Sequence, residues 1–180
     1  MTKRGPFKFT LAATGVLLLA AVTFVLISEF LVFQTQAREI LRRLPAEERE
    51  LPQNVKQLFS RLEERELNIW VARNLLQDCA PHTGMARWNV RFSLWIFLVP
   101  RFYSREERES LFAHYLLAKG AQGLKQVSII TFGKPPHMLS PDETVGLLVV
   151  TKAPGRNSPA TNPERYRKVL EEMKRKYGAV

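Results

Sequence analysis

The sequence predicts an all-α protein in which one N-terminal transmembrane helix precedes a single helical domain. Residues 9–28 carry no charge, and apolar residues beyond residue 50 recur at spacings of three, four and seven. Serine or asparagine caps followed by glutamate mark several helix starts. The chain has 180 residues, so about 145 remain after the anchor, which suffices for one hydrophobic core.

The uncharged stretch at residues 9–28 matches the thickness of a bilayer. At about 1.5 Å of rise per residue it spans the hydrocarbon core of roughly 30 Å. A helix also satisfies its own backbone hydrogen bonds where water is absent. We therefore assign residues 9–33 to a transmembrane anchor and residues 1–8 to a cytoplasmic tail.

The charges that flank this stretch predict its orientation. Lys3, Arg4 and Lys8 precede it without an acidic residue, whereas acidic and basic residues are mixed after it. The positive-inside rule leaves the N-terminus in the cytoplasm and the domain outside the cytoplasmic membrane, periplasmic or extracellular. The alternative is a cleaved signal peptide with residues 35–37, TQA, as its site, although the apolar run exceeds the usual length of about 7 to 15 residues.

Charge and cysteine content restrict the class of protein. Residues 1–33 hold three basic residues and one acidic residue, so +8 of the net charge of +10 lies in the remainder. Outside a membrane this balance suits anionic head groups, pyrophosphate-linked lipids or cell-wall polymer, and it argues against nucleic acid as a partner. The alternative is that the charge serves solubility alone. Cys79 is the one cysteine, so the domain has no internal disulfide.

The chain after the anchor reads mainly as helices. We assign residues 34–50 to a juxtamembrane segment, in which residues 38–44 form a short basic amphipathic piece on the head groups and Pro45 ends it. The next helix is expected to start near Pro52. Its spacing predicts one continuous apolar face, formed by Val55, Leu58, Phe59, Leu62, Ile69 and Leu76.

The middle of the chain contains one unusually apolar segment. After a break at residues 78–84, residues 88–99, WNVRFSLWIFLV, predict either the buried central helix or a segment that dips into the membrane. Pro100 is expected to end this helix. Ser104 and Glu107 then predict a capping box for a helix that extends through Leu117.

The last third contains one ambiguous element and two clear helix starts. Residues 126–132, QVSIITF, have strand propensity, and periodicity alone leaves helix and strand open. Ser140 starts a capped helix, and Asn162 starts the final amphipathic helix, which is expected to end before Gly178. Residues 153–163 are expected to form a loop.

The order of these elements resembles a known family. The segments YSREERESLFAHYL, GAQGLKQVSIITFGKPP, LSPDETVGLLVVTKAPGRNSP and NPERYRKVLEEM, between residues 103 and 173, are similar to the C-terminal half of glycosyltransferase family 51. Members of that family are peptidoglycan transglycosylases, which polymerise lipid II. The resemblance implies a lysozyme-like glycosyltransferase domain over residues 51–177. It also implies that residues 126–132 are helical.

The resemblance also assigns site residues, although the chain keeps less of the family pattern before residue 103. Residues 51–65, LPQNVKQLFSRLEER, are similar to the helix that ends in the family's catalytic glutamate, which places Glu63 there. Counting back from Gly120 places the second glutamate of the family pattern at Glu109. Counting forward from Ser104, the helix cap, gives Ser110 instead. The family's His-x-Gly and its glycine-serine-threonine segment are absent, and Ile69 and Trp70 replace expected glutamines.

Glycosyl transfer explains what these residues would do. A carboxylate must take the proton of the acceptor hydroxyl, and cations must stabilise the departing pyrophosphate. The resemblance implies Glu63 as the base, Glu109 as the second carboxylate, and Arg87, Lys119 and Lys134 beside the phosphates. It leaves the cofactor open, with a divalent cation as the candidate.

Each of these residues also has a structural interpretation. The glutamates at 63, 64 and 66, like those at 47, 48 and 50, are typical of the solvated face of a charged helix. The aromatic residues at 70, 88, 92, 95 and 97 are typical of a core rather than of a sugar platform. Cys79 and His82 supply only two potential metal ligands, so the sequence predicts no metal site.

Two functions remain as the leading hypotheses. The first is a shortened transglycosylase that acts at the membrane on lipid II or nascent peptidoglycan glycan strands. The second is a non-catalytic scaffold that binds cell-wall glycan or a cell-wall synthase. A third hypothesis makes residues 88–99 the membrane-dipping part of a structural anchor. The first two differ in whether Glu63 and Glu109 share one cleft.

Overall fold

The computed structural model describes the backbone of residues 6–79 and 84–177, and the side chains from residue 13 onward within those ranges. The first helices are α1 (Pro6–Arg43), α2 (Ala46–Arg49), α3 (Gln53–Ser60), α4 (Glu64–Cys79) and α5 (Met85–Phe102). They are followed by α6 (Arg105–His114), strands β1 (Leu117–Ala118) and β2 (Ala121–Gln122), α7 (Leu124–Phe132), the 3₁₀ turn Pro136–Met138, α8 (Pro141–Lys152) and α9 (Pro163–Tyr177). The chain is therefore mostly helical, as predicted, with one short hairpin.

The chain divides into two compact units, Met1–Ile40 and Leu41–Val180. In the described part of the chain, α1 is the one helix long and apolar enough to cross a membrane. It continues without a break through residues 38–43, where the sequence predicted a separate amphipathic piece, and it ends two residues before Pro45. α2 lies in the second unit, where it packs against α6 and α7.

The core of the second unit is built around α8. Every residue from Thr144 to Thr151 is buried, because α8 packs against α3, α7 and α9. A helix that is apolar on all sides is expected in such a position. α5 is not the buried central helix that the sequence offered as one alternative, since only Trp95 and Val99 of its residues are buried.

Two helix boundaries differ from the sequence prediction. The helix expected from Pro52 is broken at residues 61–63, which separate α3 from α4. There the N–H groups of Arg61 and Leu62 donate to carbonyls three residues back, at 3.1 and 3.0 Å, which tightens the end of α3. α5 also continues to Phe102, past Pro100, and the N–H of Tyr103 still donates to Val99 at 3.1 Å.

The predicted helix starts are confirmed at their caps. Ser104 and Ser140 each form a capping box with the glutamate three residues later, at the starts of α6 and α8. Asn162 Oδ1 accepts a hydrogen bond from the N–H of Arg165 at 3.2 Å, at the start of α9. These local patterns need no tertiary context, which is why the sequence reveals them. Gly178, the predicted end of the last helix, lies outside the described residues.

The turns between α6 and α8 contain residues with a left-handed backbone conformation. α6 ends at His114 rather than at Leu117, because β1 and β2 form a hairpin whose turn residues Lys119 and Gly120 have φ of 40° and 82°. α7 begins after Gly123 and ends at Gly133, a left-handed C-cap with φ of 70°. Residues 126–132 are therefore helical, as the resemblance implied against their strand propensity.

Candidate functional site

The catalytic position assigned by resemblance, Glu63, lies in the turn before α4. Its side chain is exposed. Its backbone carbonyl accepts the N–H of Leu67 at 3.0 Å. The interpretation of this glutamate as part of a solvated surface agrees with this position. No described hydrogen bond or ion pair joins it to Glu109.

The neighbouring glutamates make specific contacts. Glu64 forms ion pairs with Arg105 and Arg108, although about half of its side chain is exposed. Glu66 is half-buried and accepts the hydroxyl of Tyr177 at 2.8 Å and the ammonium of Lys176 at 2.9 Å. Both carboxylates therefore connect α4 to other helices, which the solvated-face interpretation did not include.

Glu109, the second assigned carboxylate, is buried on α6. Its Oε1 accepts Arg105 Nε at 2.8 Å. The same guanidinium donates to the carbonyls of Phe59, Ser60 and Leu62 at 3.0 to 3.1 Å, and so it caps the end of α3. Ser110, the alternative at this position, is buried as well. Glu109 thus positions the arginine that stabilises the α3–α4 break.

The three cations expected beside the phosphates lie on different elements. Arg87 is exposed in the first turn of α5, and Lys119 is exposed in the β1–β2 turn. Lys134 follows the C-cap of α7, and its ammonium lies 2.8 Å from Glu143 Oε1. This contact lowers the pKa of Glu143, together with the backbone N–H of Ser140. Lys134 therefore stabilises the start of α8 through its ion pair with Glu143.

Glu48 is a further carboxylate whose position differs from the prediction. The sequence grouped it with solvated residues, but only 4% of it is exposed. Its oxygens accept the N–H of Leu124 at 3.1 Å and contact Nδ1 of His114 at 2.9 Å. A carboxylate at the N-terminus of α7 also suits the helix dipole. α2 is therefore held to α6 and α7 by this buried group.

The second unit contains a cleft between α4, α6, α8 and α9. Its volume is about 60 Å³, room for a few water molecules or one small chemical group. The residues that shape it are Glu66, Trp70, Phe112, Thr151, Met173 and Tyr177. Trp70 is fixed by an edge contact to Phe112, with ring centroids 5.7 Å apart. Aromatic and polar groups therefore meet at one small opening.

The polar groups of this cleft differ in whether they have hydrogen-bond partners among the described residues. Glu66 accepts hydrogen bonds from Tyr177 and Lys176. The hydrogen bonds that Lys176 makes with Tyr177 and, second, with Glu66 raise the pKa of its ammonium. Thr151 is 4% exposed, and its hydroxyl makes no hydrogen bond to any described residue. By contrast, the Thr144 hydroxyl on the same helix donates to the Ser140 carbonyl at 2.9 Å. An unsatisfied buried hydroxyl is costly, so a water molecule or a ligand group that reached Thr151 through this cleft would lower the free energy.

Sequence reasoning did not select this site. Thr151 follows an apolar run, Val145–Val150, and Tyr177 is the last residue before Gly178, the expected end of the final helix. Their meeting with Glu66 joins residues more than 80 positions apart, which periodicity does not show. The only local signal was a hydroxyl at the end of a buried run.

The described residues do not fit a metal centre. They contain no group of three His, Cys, Asp or Glu side chains that could hold an ion. His82, paired with Cys79 in the sequence analysis, lies outside the described residues.

Comparison with known proteins gives no match: no family model matches the sequence, and neither does any curated protein.

Proposed function

We propose that this chain is a membrane-anchored binding protein of cell-wall biogenesis, which recognises lipid II or nascent peptidoglycan glycan strands without transferring sugars. Residues 9–33 would span the cytoplasmic membrane with the N-terminus inside, and a lysozyme-like helical domain would lie periplasmic or extracellular. A cell-wall synthase is the protein partner that fits such a scaffold.

The observation that carries this proposal is the Thr151 hydroxyl at the cleft. A buried hydroxyl without a partner costs stability, and a ligand that supplies the missing hydrogen bond recovers that cost. Trp70 and Tyr177 add aromatic surface, and Glu66 adds an acceptor beside them. The cleft has room for one small group, and a sugar could insert a single hydroxyl or acetamido group there while its ring remained outside.

The placement of the assigned carboxylates argues for binding rather than transfer. A general base must come within hydrogen-bond reach of the proton that it removes. Glu63 and Glu109 are absent from the residues that line the Thr151 cleft. Glu109 is also engaged with Arg105, which caps α3. Both assigned carboxylates are therefore explained without a reaction.

The assignment to the cell wall rests on the resemblance and on charge. The resemblance required a helix at residues 126–132 against propensity, and α7 occupies that position. Ser104 and Ser140 cap α6 and α8, which lie in the segments on which the resemblance rests. The basic balance of the domain suits a pyrophosphate-linked lipid.

Binding is tested with the full-length protein in nanodiscs, titrated with labelled lipid II and with soluble glycan strands. We expect Thr151→Val to weaken binding about tenfold, because one hydrogen bond to the ligand is lost. The same variant should melt no lower than the parent, because an unsatisfied hydroxyl has been removed. Unchanged affinity in Thr151→Val would reject the cleft as the site, and no binding by the parent would reject the function.

Catalysis is tested separately by polymerisation of lipid II, with and without Mg²⁺. We expect no glycan chains from the parent, from Glu63→Gln or from Glu109→Gln. Chains made by the parent and lost in Glu63→Gln would instead establish a minimal transglycosylase, and the binding proposal would then be wrong.

A further inference from the structure

α5 leaves large apolar side chains uncovered on one side. Trp95 and Val99 are buried, whereas Val90 and Phe97 are 67% and 57% exposed. These two exposed residues are seven positions apart and therefore lie on the same face of the helix, two turns from each other. Met85, in the first turn, is 76% exposed. A helix that packs along one side thus presents apolar groups on the other.

The charges of α5 are of one sign. Met85–Phe102 contains three arginines, at 87, 91 and 101, and no acidic residue. The Arg101 guanidinium lies 3.5 Å from the centroid of the Phe97 ring and donates to the Phe97 carbonyl at 2.8 Å. An arginine that covers an exposed aromatic ring in this way can keep its charge among head groups while the ring enters the apolar layer.

We propose that the exposed face of α5, defined by Val90, Phe97 and Arg101, lies in the head-group layer of an anionic membrane. Exposed apolar residues, interleaved arginines and a lack of acidic residues are the features of an interfacial helix. Anionic lipids complement the arginines, at roughly 1 kcal/mol for each basic group near such a surface. The proposed anchor, residues 9–33, would already hold the chain at a membrane.

This contact differs from the anchor and from glycan recognition. α1 would cross the bilayer, whereas α5, with 18 residues that include three arginines, would lie along its surface. None of its residues lines the Thr151 cleft. The proposal shares the membrane anchor of residues 9–33 with the proposed function, but it does not depend on glycan recognition.

Spin labels in the full-length protein test the contact. Val90→Cys and Phe97→Cys are each introduced with Cys79→Ala, and the protein is placed in nanodiscs that contain phosphatidylglycerol. The control is Met138→Cys, since Met138 is also apolar and 63% exposed but lies in the 3₁₀ turn. We expect labels at 90 and 97 to collide several-fold more with oxygen than with a water-soluble nickel chelate, and the label at 138 to show the reverse.

Two outcomes would overturn the proposal. Nickel accessibility at 90 and 97 equal to that at 138 would place this face in water. Low accessibility to both reagents would show that a protein, such as a second copy of the chain, covers it. In nanodiscs of neutral lipid the ratio of oxygen to nickel collisions should fall, because the arginines lose their partners.

A second measurement needs no substitution. The unmodified protein is cross-linked to a photoactivatable phosphatidylglycerol in nanodiscs, and its tryptic peptides are analysed by mass spectrometry. We expect lipid adducts on residues 92–101, the peptide that contains Phe97, and none on the peptide that contains Met138. Adducts confined to residues within α1 would refute the contact.

Discussion

Glu48 illustrates how a single residue escapes prediction from sequence. Its local context, AEERE, is that of a solvated charged turn. The groups that bury and satisfy it, His114 and Leu124, lie 66 and 76 residues away. Gly123 is also required beside it, since a Cβ there would lie 2.3 Å from Glu48 Oε1. Such a carboxylate is recognisable only once the helices are packed.

Cys79 should be an unreactive thiol. Burial raises its pKa to about 11 from the ordinary 9.0, and the charge of Asp78 adds to the effect. At pH 8 the thiolate fraction is therefore about 100-fold lower than for an ordinary cysteine. We expect maleimide to label Cys79 at least that much more slowly than Met138→Cys in a Cys79→Ala chain, by intact mass. Equal rates would contradict the burial.

Glu64 should contribute stability that depends on pH. Partial burial raises its pKa, but the hydrogen bonds and charges of Arg108 and Arg105 outweigh this and hold the pKa below 4.5. A lowered pKa in the folded state gives stability above the unfolded pKa, and this stability is lost as the pH falls through the folded value. The half-exposed side chain limits the effect to about 1 kcal/mol.

This contribution is measured by urea unfolding of Glu64→Gln. We expect the variant to be about 1 kcal/mol less stable than the parent at pH 7, with the difference shrinking below about pH 4. Glu63→Gln is the matched control, because its exposed side chain is the adjacent carboxylate. An equal loss of unfolding free energy in both variants would show that the ion pairs of Glu64 with Arg105 and Arg108 add no stability of their own.

At the scale of elements, the sequence predicts what is encoded within a few residues. The capping boxes at Ser104 and Ser140 were correct because cap and partner are three residues apart. The α3–α4 break was missed, because the turn contains neither glycine nor proline and is held by Arg105, more than 40 residues away. In the same way, the cleft could not be predicted, because Glu66, Thr151 and Tyr177 lie on three different helices and line it only in the folded chain.

α8 should not tolerate a side chain at Gly146. A Cβ there would lie 2.3 Å from the Tyr166 hydroxyl oxygen and 2.8 Å from Phe132 Cζ. In an open helix Gly→Ala stabilises by about 1 kcal/mol, but this overpacking should make Gly146→Ala about 1 to 3 kcal/mol less stable. Denaturant unfolding measures the change. Gly155→Ala, with nothing within 4 Å, is the control, and Tyr166→Phe should restore part of the loss in Gly146→Ala.

At the scale of the whole molecule, the two compact units differ in the chemistry of their surfaces. The exposed residues of α1 between 16 and 27 are almost all apolar, as a helix in lipid requires. The second unit buries an apolar core around α8 but leaves Val90 and Phe97 of α5 exposed. In the described residues, α1 is the one helix long and apolar enough to cross a membrane.

The orientation that the flanking charges predict can be tested directly. The basic residues at 3, 4 and 8 should keep the N-terminus in the cytoplasm. We expect a reporter phosphatase that is active only after export to be active when fused after Val180, and we expect the fusion protein not to be cleaved. Glutamate at positions 3, 4 and 8 should lower this activity, because the bias toward a cytoplasmic N-terminus is lost. An inactive fusion in the parent would reverse the orientation, and a shortened chain would identify residues 35–37 as a cleavage site. The first result would remove the ground for placing the cleft on the outer side of the membrane, whereas the second would leave the domain outside but remove its anchor.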